Sequence, residues 1–307
     1  MEYLRTPANC FEAIPNYTFP ENHHVIDAKS GMRMHYVDLR PRETSKGIIL
    51  MLHGEPSWSF LYREMINMAV AQGYRVIAPD LIGFGKSDKP IDPDYYTYAN
   101  HLAWLRSLIS TLALEEINLI CQDWGGLLGL RLVAEQPDKY SSVVAANTFL
   151  PTGDQGANDA FKQWQHFSQT VPIFPVGDVL QKATVTELPK DTINAYNAPF
   201  PTEKHKAGVR KFPLLVPISS DNPETENNRK AWKVLEAFEK PFLTVFGDSD
   251  PITAGAEKIF QKKVPGCYQQ CHKILKGGGH FLQEDVGEEL MTAALAFYEE
   301  NRGTKNG

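Results

Sequence analysis

The chain is expected to fold as an α/β protein in which a mostly parallel central sheet, flanked by helices, is interrupted by an inserted helical cap. Three observations point there. Short apolar runs alternate with longer amphipathic stretches over most of the sequence, the pattern of βα units. The alternation lapses in one proline- and amide-rich interval, and it then resumes with two further strands and a last helix. At 307 residues the chain exceeds the usual domain of about 100–200 residues, and one large core with an insertion accommodates that length.

Strands are expected at 33–37, 47–52, 75–78, 117–121 and 142–146, each a short apolar run such as Gly-Ile-Ile-Leu-Met-Leu at 47–52. Apolar residues recur at helical spacing over 61–71, 98–112 and 126–136. From 151 to 229 the strand pattern disappears, and prolines such as Pro172, Pro175, Pro189, Pro199 and Pro213 divide the segment into short helices. This interval is the expected cap, with the polar run 219–230 as the linker back to the core. Strands at 241–246 and 271–275 and a helix at 288–299 complete a core made of residues 1–150 and 230–307, and residues 301–307 are expected to fray.

Composition narrows the function classes. Hydrophobic residues make up 42% and charged residues 22%, ordinary globular usage. Lys and Arg number 31 against 37 Asp and Glu, a net charge of −6, so no basic excess is available for phosphates or anionic lipid headgroups. Neither nucleic acid nor membrane is an expected partner. Cys10, Cys121, Cys267 and Cys271 are too few and too irregularly spaced for a disulfide framework. With no apolar leader and no membrane-length run, a cytoplasmic location is expected.

The strand at 117–121 runs into Cys121-Gln122-Asp123-Trp124-Gly125-Gly126, with a helix to follow. A tight strand-to-helix turn with small neighbours is the shape of a nucleophile elbow. Asp stands at its centre, where esterases and lipases carry Ser. A helix start favours negative charge there and a carboxylate can form an ester, yet a helix-capping Asp would satisfy the motif equally well. Two other segments break the tie. The strand at 47–52 ends in His53-Gly54-Glu55-Pro56-Ser57-Trp58, the place from which one oxyanion-hole N–H is donated. The strand at 241–246 ends in Gly247-Asp248-Ser249-Asp250-Pro251 and supplies an acid, and Gly277-Gly278-Gly279-His280 would leave His280 mobile at the sheet's C-terminal edge. Nucleophile, acid and His then follow the chain order of hydrolase triads.

Taken together, HGEPSWSFLYR at 53–63, APDLIGFGKSDKP at 78–90, QDWGG at 122–126, NAPFP at 197–201 and GGGHFLQED at 277–285 resemble the α/β-hydrolase superfamily and, within it, the haloalkane dehalogenases. The resemblance runs from Met1 to the final helix. It implies Asp123 as nucleophile, His280 as base, Asp250 rather than Asp248 as acid, and the backbone N–H groups of Glu55 and Trp124 as the oxyanion hole. It also implies that Trp124 holds the halide through its indole N–H. The second halide donor in that family is either an Asn after His-Gly or a cap Trp. Because Glu55 follows His53-Gly54, the resemblance points to the subfamily with a Trp–Trp pair, and to Trp164. The implied substrate is a small apolar haloalkane, the product a halide ion, and no cofactor or metal is expected.

The residue types suit that chemistry. Attack by Ser at a saturated carbon would leave an ether, whereas Asp123 leaves an ester that water can cleave. Halide is a very weak base, so its departure needs donors in a dry pocket rather than a proton, and indoles do not titrate. An epoxide hydrolase would share the triad but needs acidic tyrosines from the cap, where Tyr196 is the only tyrosine. A haloacid dehalogenase would need a cation beside Asp123, where Gln122 and Trp124 stand. A non-catalytic ligand-binding relative remains the rival from another class. Gly85-Lys86-Ser87 lacks the first Gly of a phosphate loop. Cys267, Cys271 and His272 lack a second ligand pair for a metal.

Overall fold

The computed structural model describes residues 2–154 and 156–302. Eight strands form one sheet: β1 (Asn22–Asp27), β2 (Met32–Leu39), β3 (Ile48–Leu52), β4 (Arg75–Pro79), β5 (Ile117–Gln122), β6 (Tyr140–Ala146), β7 (Phe242–Gly247) and β8 (Lys273–Leu275). Their spatial order is β8-β7-β6-β5-β3-β4-β2-β1. Within this sheet only the pairings of β2 are antiparallel, so β2 is its one reversed strand. Central β5 is paired on both edges, with β3 and β6, and is buried over most of its length, which explains its unbroken apolar run.

The strands expected from β2 to β7 are present within a few residues. β8 is shorter than 271–275. β1 was not foreseen because Asn-His-His-Val-Ile-Asp is half-buried apart from an exposed Val25 and shows no apolar alternation. Helices α1 (Arg63–Ala71), α2 (Tyr98–Thr111) and α3 (Trp124–Glu135) follow β3, β4 and β5. Between β6 and β7 the chain forms α4 (Asp159–Thr170), α5 (Val176–Lys182), α6 (Lys190–Asn197), α7 (Ala207–Leu215) and α8 (Thr225–Leu235). Then come α9 (Ala256–Lys263) and α10 (Leu282–Arg302), which is interrupted by non-helical backbone at Val286. Asn301 and Arg302 end α10, and the remainder of the expected frayed tail lies outside the described residues.

One expectation is overturned. The polar run 219–230 is not simply a linker, because its second half begins α8, which packs on α3. The inward face of α8 includes Thr225 and Asn228 beside Ala231, Trp232 and Leu235, so polar residues disguise its helical spacing. Asn228, fully buried, accepts from Arg131 Nη1 at 2.9 Å and donates to the Pro151 carbonyl at 2.7 Å. Asn228→Ala should therefore lower stability by about 2 kcal/mol, since a charge-assisted bond is lost inside the fold. A urea midpoint equal to that of the wild type would show that α8 is held by its apolar residues alone.

Candidate active site

The C-terminal ends of β3, β5, β7 and β8 deliver the expected groups to one place. Asp123 follows β5 with φ 49° and ψ −125°, a left-handed conformation that a non-glycine residue adopts only when its surroundings enforce it. The enforcing contacts are close. A Cβ at Gly54 would lie 2.4 Å from the Asp123 Cβ, one at Gly125 would lie 1.9 Å from the Leu52 carbonyl oxygen, and one at Gly126 would lie 2.0 Å from Thr148 Oγ1. The small residues of the motif therefore let α3 approach β3 and the chain after β6. The Asp123 N–H donates to the Asn147 carbonyl at 3.1 Å, and Thr148 Oγ1 donates to the Asp123 carbonyl at 2.8 Å.

The two carboxylate oxygens of Asp123 have different surroundings. Oδ1 accepts the Glu55 backbone N–H at 2.8 Å, whereas Oδ2 lies 3.4 Å from His280 Nε2. His280 Nδ1 is 3.0 Å from Asp250 Oδ2, and Asp250 is held in turn by the Ile252 N–H at 2.9 Å and by the Thr253 hydroxyl. Asp248 lies elsewhere, accepting the Gly277 N–H at 2.8 Å. Burial favours the neutral imidazole, but the charge of Asp250 and the hydrogen bonds with Asp123 and Asp250 outweigh it and push His280 up to about 10. Burial, then the charge of Asp123, pushes the Glu55 carboxyl well above the usual carboxylate range, and Glu55 Oε1 has no hydrogen-bond partner.

His280 is not the mobile group that its three preceding glycines suggested. It is 8% exposed and its backbone is pinned. Gln122 Nε2 donates to its carbonyl at 3.0 Å, and Asn147 Nδ2 donates to the Gly279 and His280 carbonyls at 2.7 and 3.1 Å. The glycines serve close approach instead, since a Cβ at Gly247 would lie 2.1 Å from the Gly278 carbonyl oxygen. Gln122 and Asn147 were not assigned supporting parts from sequence. Asn147 carried a trace of this, being a polar residue at the end of an apolar strand.

A cavity of about 1230 Å³ opens onto Asp123 and His280 and is lined also by Glu55, Trp124 and Trp164. Trp124 begins α3, its ring packed on Tyr98 and Phe212 at centroid distances of 5.4 and 4.6 Å. Trp164 lies on α4 against Phe167 and Phe174. Trp58 and Trp232 donate their indole N–H to the Ala195 and Leu150 carbonyls. The indoles of Trp124 and Trp164 have no protein acceptor among the described residues and meet the same cavity. Trp58 does not line it; it is fully buried and stacked on Phe60.

Tyr196 is fully buried and donates to Glu284, which also receives a bidentate Arg63 at 2.6 and 2.8 Å, and it is absent from the cavity wall. His53 is committed too, with Nδ1 donating to the Gly54 carbonyl and Nε2 accepting the Leu81 N–H. His272 uses both nitrogens, toward Cys267 O and the Thr244 N–H.

Comparison with known proteins bears on the family and the fold. A family model for the alpha/beta hydrolase fold matches residues 47–285. A haloalkane dehalogenase of Psychrobacter cryohalolentis is 50% identical over 98% of this chain and 99% of its own. One from Mycobacterium marinum is 44% identical over 97% of this chain and 100% of its own. The solved tetrameric structure of haloalkane dehalogenase DpaA from Paraglaciecola agarilytica NO2 matches with a TM-score of 0.89 at 33% identity, covering 96% of this chain and 98% of that one.

Proposed function

The chain belongs to the haloalkane dehalogenases, hydrolases of carbon–halide bonds on the α/β-hydrolase fold, and on that premise we propose that Asp123, His280 and Asp250 are its nucleophile, base and acid. Residues 151–229 act as the cap over a core of 1–150 and 230–307. Asp123 Oδ1 is engaged by the Glu55 N–H, which leaves Oδ2 to attack. Oδ2 forms a bond to the substrate carbon as the carbon–halogen bond breaks, and the electron pair leaves with the halide. The developing halide is met by the indole N–H groups of Trp124 and Trp164, which donate without titrating. Water then attacks the Asp123 carbonyl carbon and gives a proton to His280, whose imidazolium Asp250 stabilises. Oδ1 carries the oxyanion, held by the Glu55 N–H with the Trp124 N–H as the second donor. Collapse releases the alcohol, and the balance is haloalkane plus water giving alcohol, halide and a proton. Glu55, kept neutral, positions the attacking water with its side chain.

The observation that carries this reading is the pair of indoles without acceptors on the cavity of Asp123. It disfavours an epoxide hydrolase, since the tyrosine that would protonate an alkoxide is bound to Glu284. The substrate is a neutral, apolar haloalkane, with no part for nucleic acid or membrane. No helix among the described residues is long and apolar enough to cross a membrane, and the four free cysteines suit a cytoplasmic location. Ligand sites typically occupy about 300–1,000 Å³, so a cavity of about 1230 Å³ should take longer haloalkanes. Halide and proton release should be faster for 1-bromohexane than for 1,2-dibromoethane. The reverse order would contradict the size reading, and release from neither, with bromide still quenching tryptophan fluorescence, would favour a receptor.

A further inference from the structure

We propose that Asp285 is a positioning residue for the catalytic histidine, joining the turn that carries His280 to the helical stretch that walls the cavity. The inference rests on the reading of His280 as the base. Asp285 Oδ2 accepts the Gly279 N–H at 2.8 Å, one residue before His280. The same carboxylate accepts the Val185 N–H at 3.0 and 3.1 Å and the Thr186 N–H at 2.7 Å. Residues 185 and 186 lie between α5 and α6, and α5 contributes Asp178, Val179 and Lys182 to the cavity wall. Four backbone contacts to one carboxylate thus fasten two separate segments together, using charge-assisted bonds.

Three features make the joint close-fitting. The Phe281 N–H donates to the Ala183 carbonyl at 3.3 Å, on the other side of His280. A Cβ at Gly279 would lie 2.7 Å from that carbonyl oxygen and 3.0 Å from Asp285 Oδ2, so the glycine is what permits the approach. The non-helical backbone at Val286 separates the turn 282–285 from the rest of α10. Glu284, next in sequence, holds the other end of the same helix pair through the Tyr196 hydroxyl. The α5–α6 pair is therefore seated on the residues immediately after His280, with Asp285 the link to its backbone.

Nucleophilic attack by Asp123 does not use His280, whereas cleavage of the ester does, so the two steps separate positioning from general loosening. In Asp285→Asn the amide presents N–H groups to backbone donors. Cleavage of the ester should slow about tenfold to a hundredfold, the cost of misplacing a catalytic group by about 1 Å. Ester formation should stay within about threefold of the wild type. Single turnovers with a bromoalkane, quenched and read by mass spectrometry on the peptide containing Asp123, give both rates in the full-length protein. The pH profile of ester cleavage should also shift, because the surroundings of His280 change. Should Asp285→Asn not fold, Tyr196→Phe removes only the hydroxyl at the other end of the helix pair and should slow ester cleavage selectively. Equal slowing of both steps, or no change in either, would overturn the proposal. A wild-type protein that forms neither ester nor halide would instead overturn the covalent mechanism through Asp123, and with it the reading of His280 as the base on which the proposal rests.

Discussion

His280→Phe is expected to stop at the ester: turnover falls about 10²–10⁴-fold, the usual contribution of a general base, and the peptide containing Asp123 gains one alkyl group. On the proposed roles Asp123 Oδ2 attacks without a base, so the first halide should still be released in a burst. The second step fails because water has no acceptor for its proton. The electrostatics of the resting site sharpen this expectation. Burial alone would keep His280 neutral, yet Asp250 and Asp123 push it up to about 10 and so favour the imidazolium in the resting site. Ester formation exchanges the charge of Asp123 for a neutral group 3.4 Å from Nε2, and one of the two supports of the imidazolium disappears. The base is thereby freed in the step that creates its need. Absence of an alkylated Asp123 peptide in the variant would count against the covalent mechanism as a whole.

Trp124→Phe is expected to slow ester formation by about 10²–10³-fold, the loss that follows removal of one donor aimed at developing charge in a water-poor site. Phe keeps an aromatic ring against Tyr98 and Phe212, whose contacts fix the native indole, so the change isolates the N–H. The indole makes no hydrogen bond to protein in the resting site, and the effect should therefore fall on the reaction rather than on stability. Bromide affinity should weaken along with the rate. Single-turnover ester formation within about threefold of the wild type, together with unchanged bromide quenching, would remove Trp124 from the halide site.

Much of the site was legible because its members sit where strands end. Asp123, Glu55, Asp250 and His280 each follow a short apolar run by a few residues, and a parallel sheet carries all such positions to one edge. What stayed hidden depends on contacts between segments remote in sequence. The glycines before His280 read as freedom, whereas here they admit the backbone at Gly247 and at Ala183. Helix α8 read as linker because its buried positions include Thr225 and Asn228, whose partners lie outside any local window. Asp285 stood within a quoted motif without a role, since its acceptors' worth appears only when residues 185 and 186 are folded against it.

The two acceptor-free indoles stand on helices from different parts of the chain, Trp124 on α3 beneath the sheet's catalytic edge and Trp164 on α4 in the stretch between β6 and β7. A halide held by both is a rivet between them. On the proposed roles, α4 could not draw away from α3 without stripping the ion of one donor. Product release would then be coupled to any separation of these helices, and added halide, by mass action on the halide-bound form, should brace the protein against it.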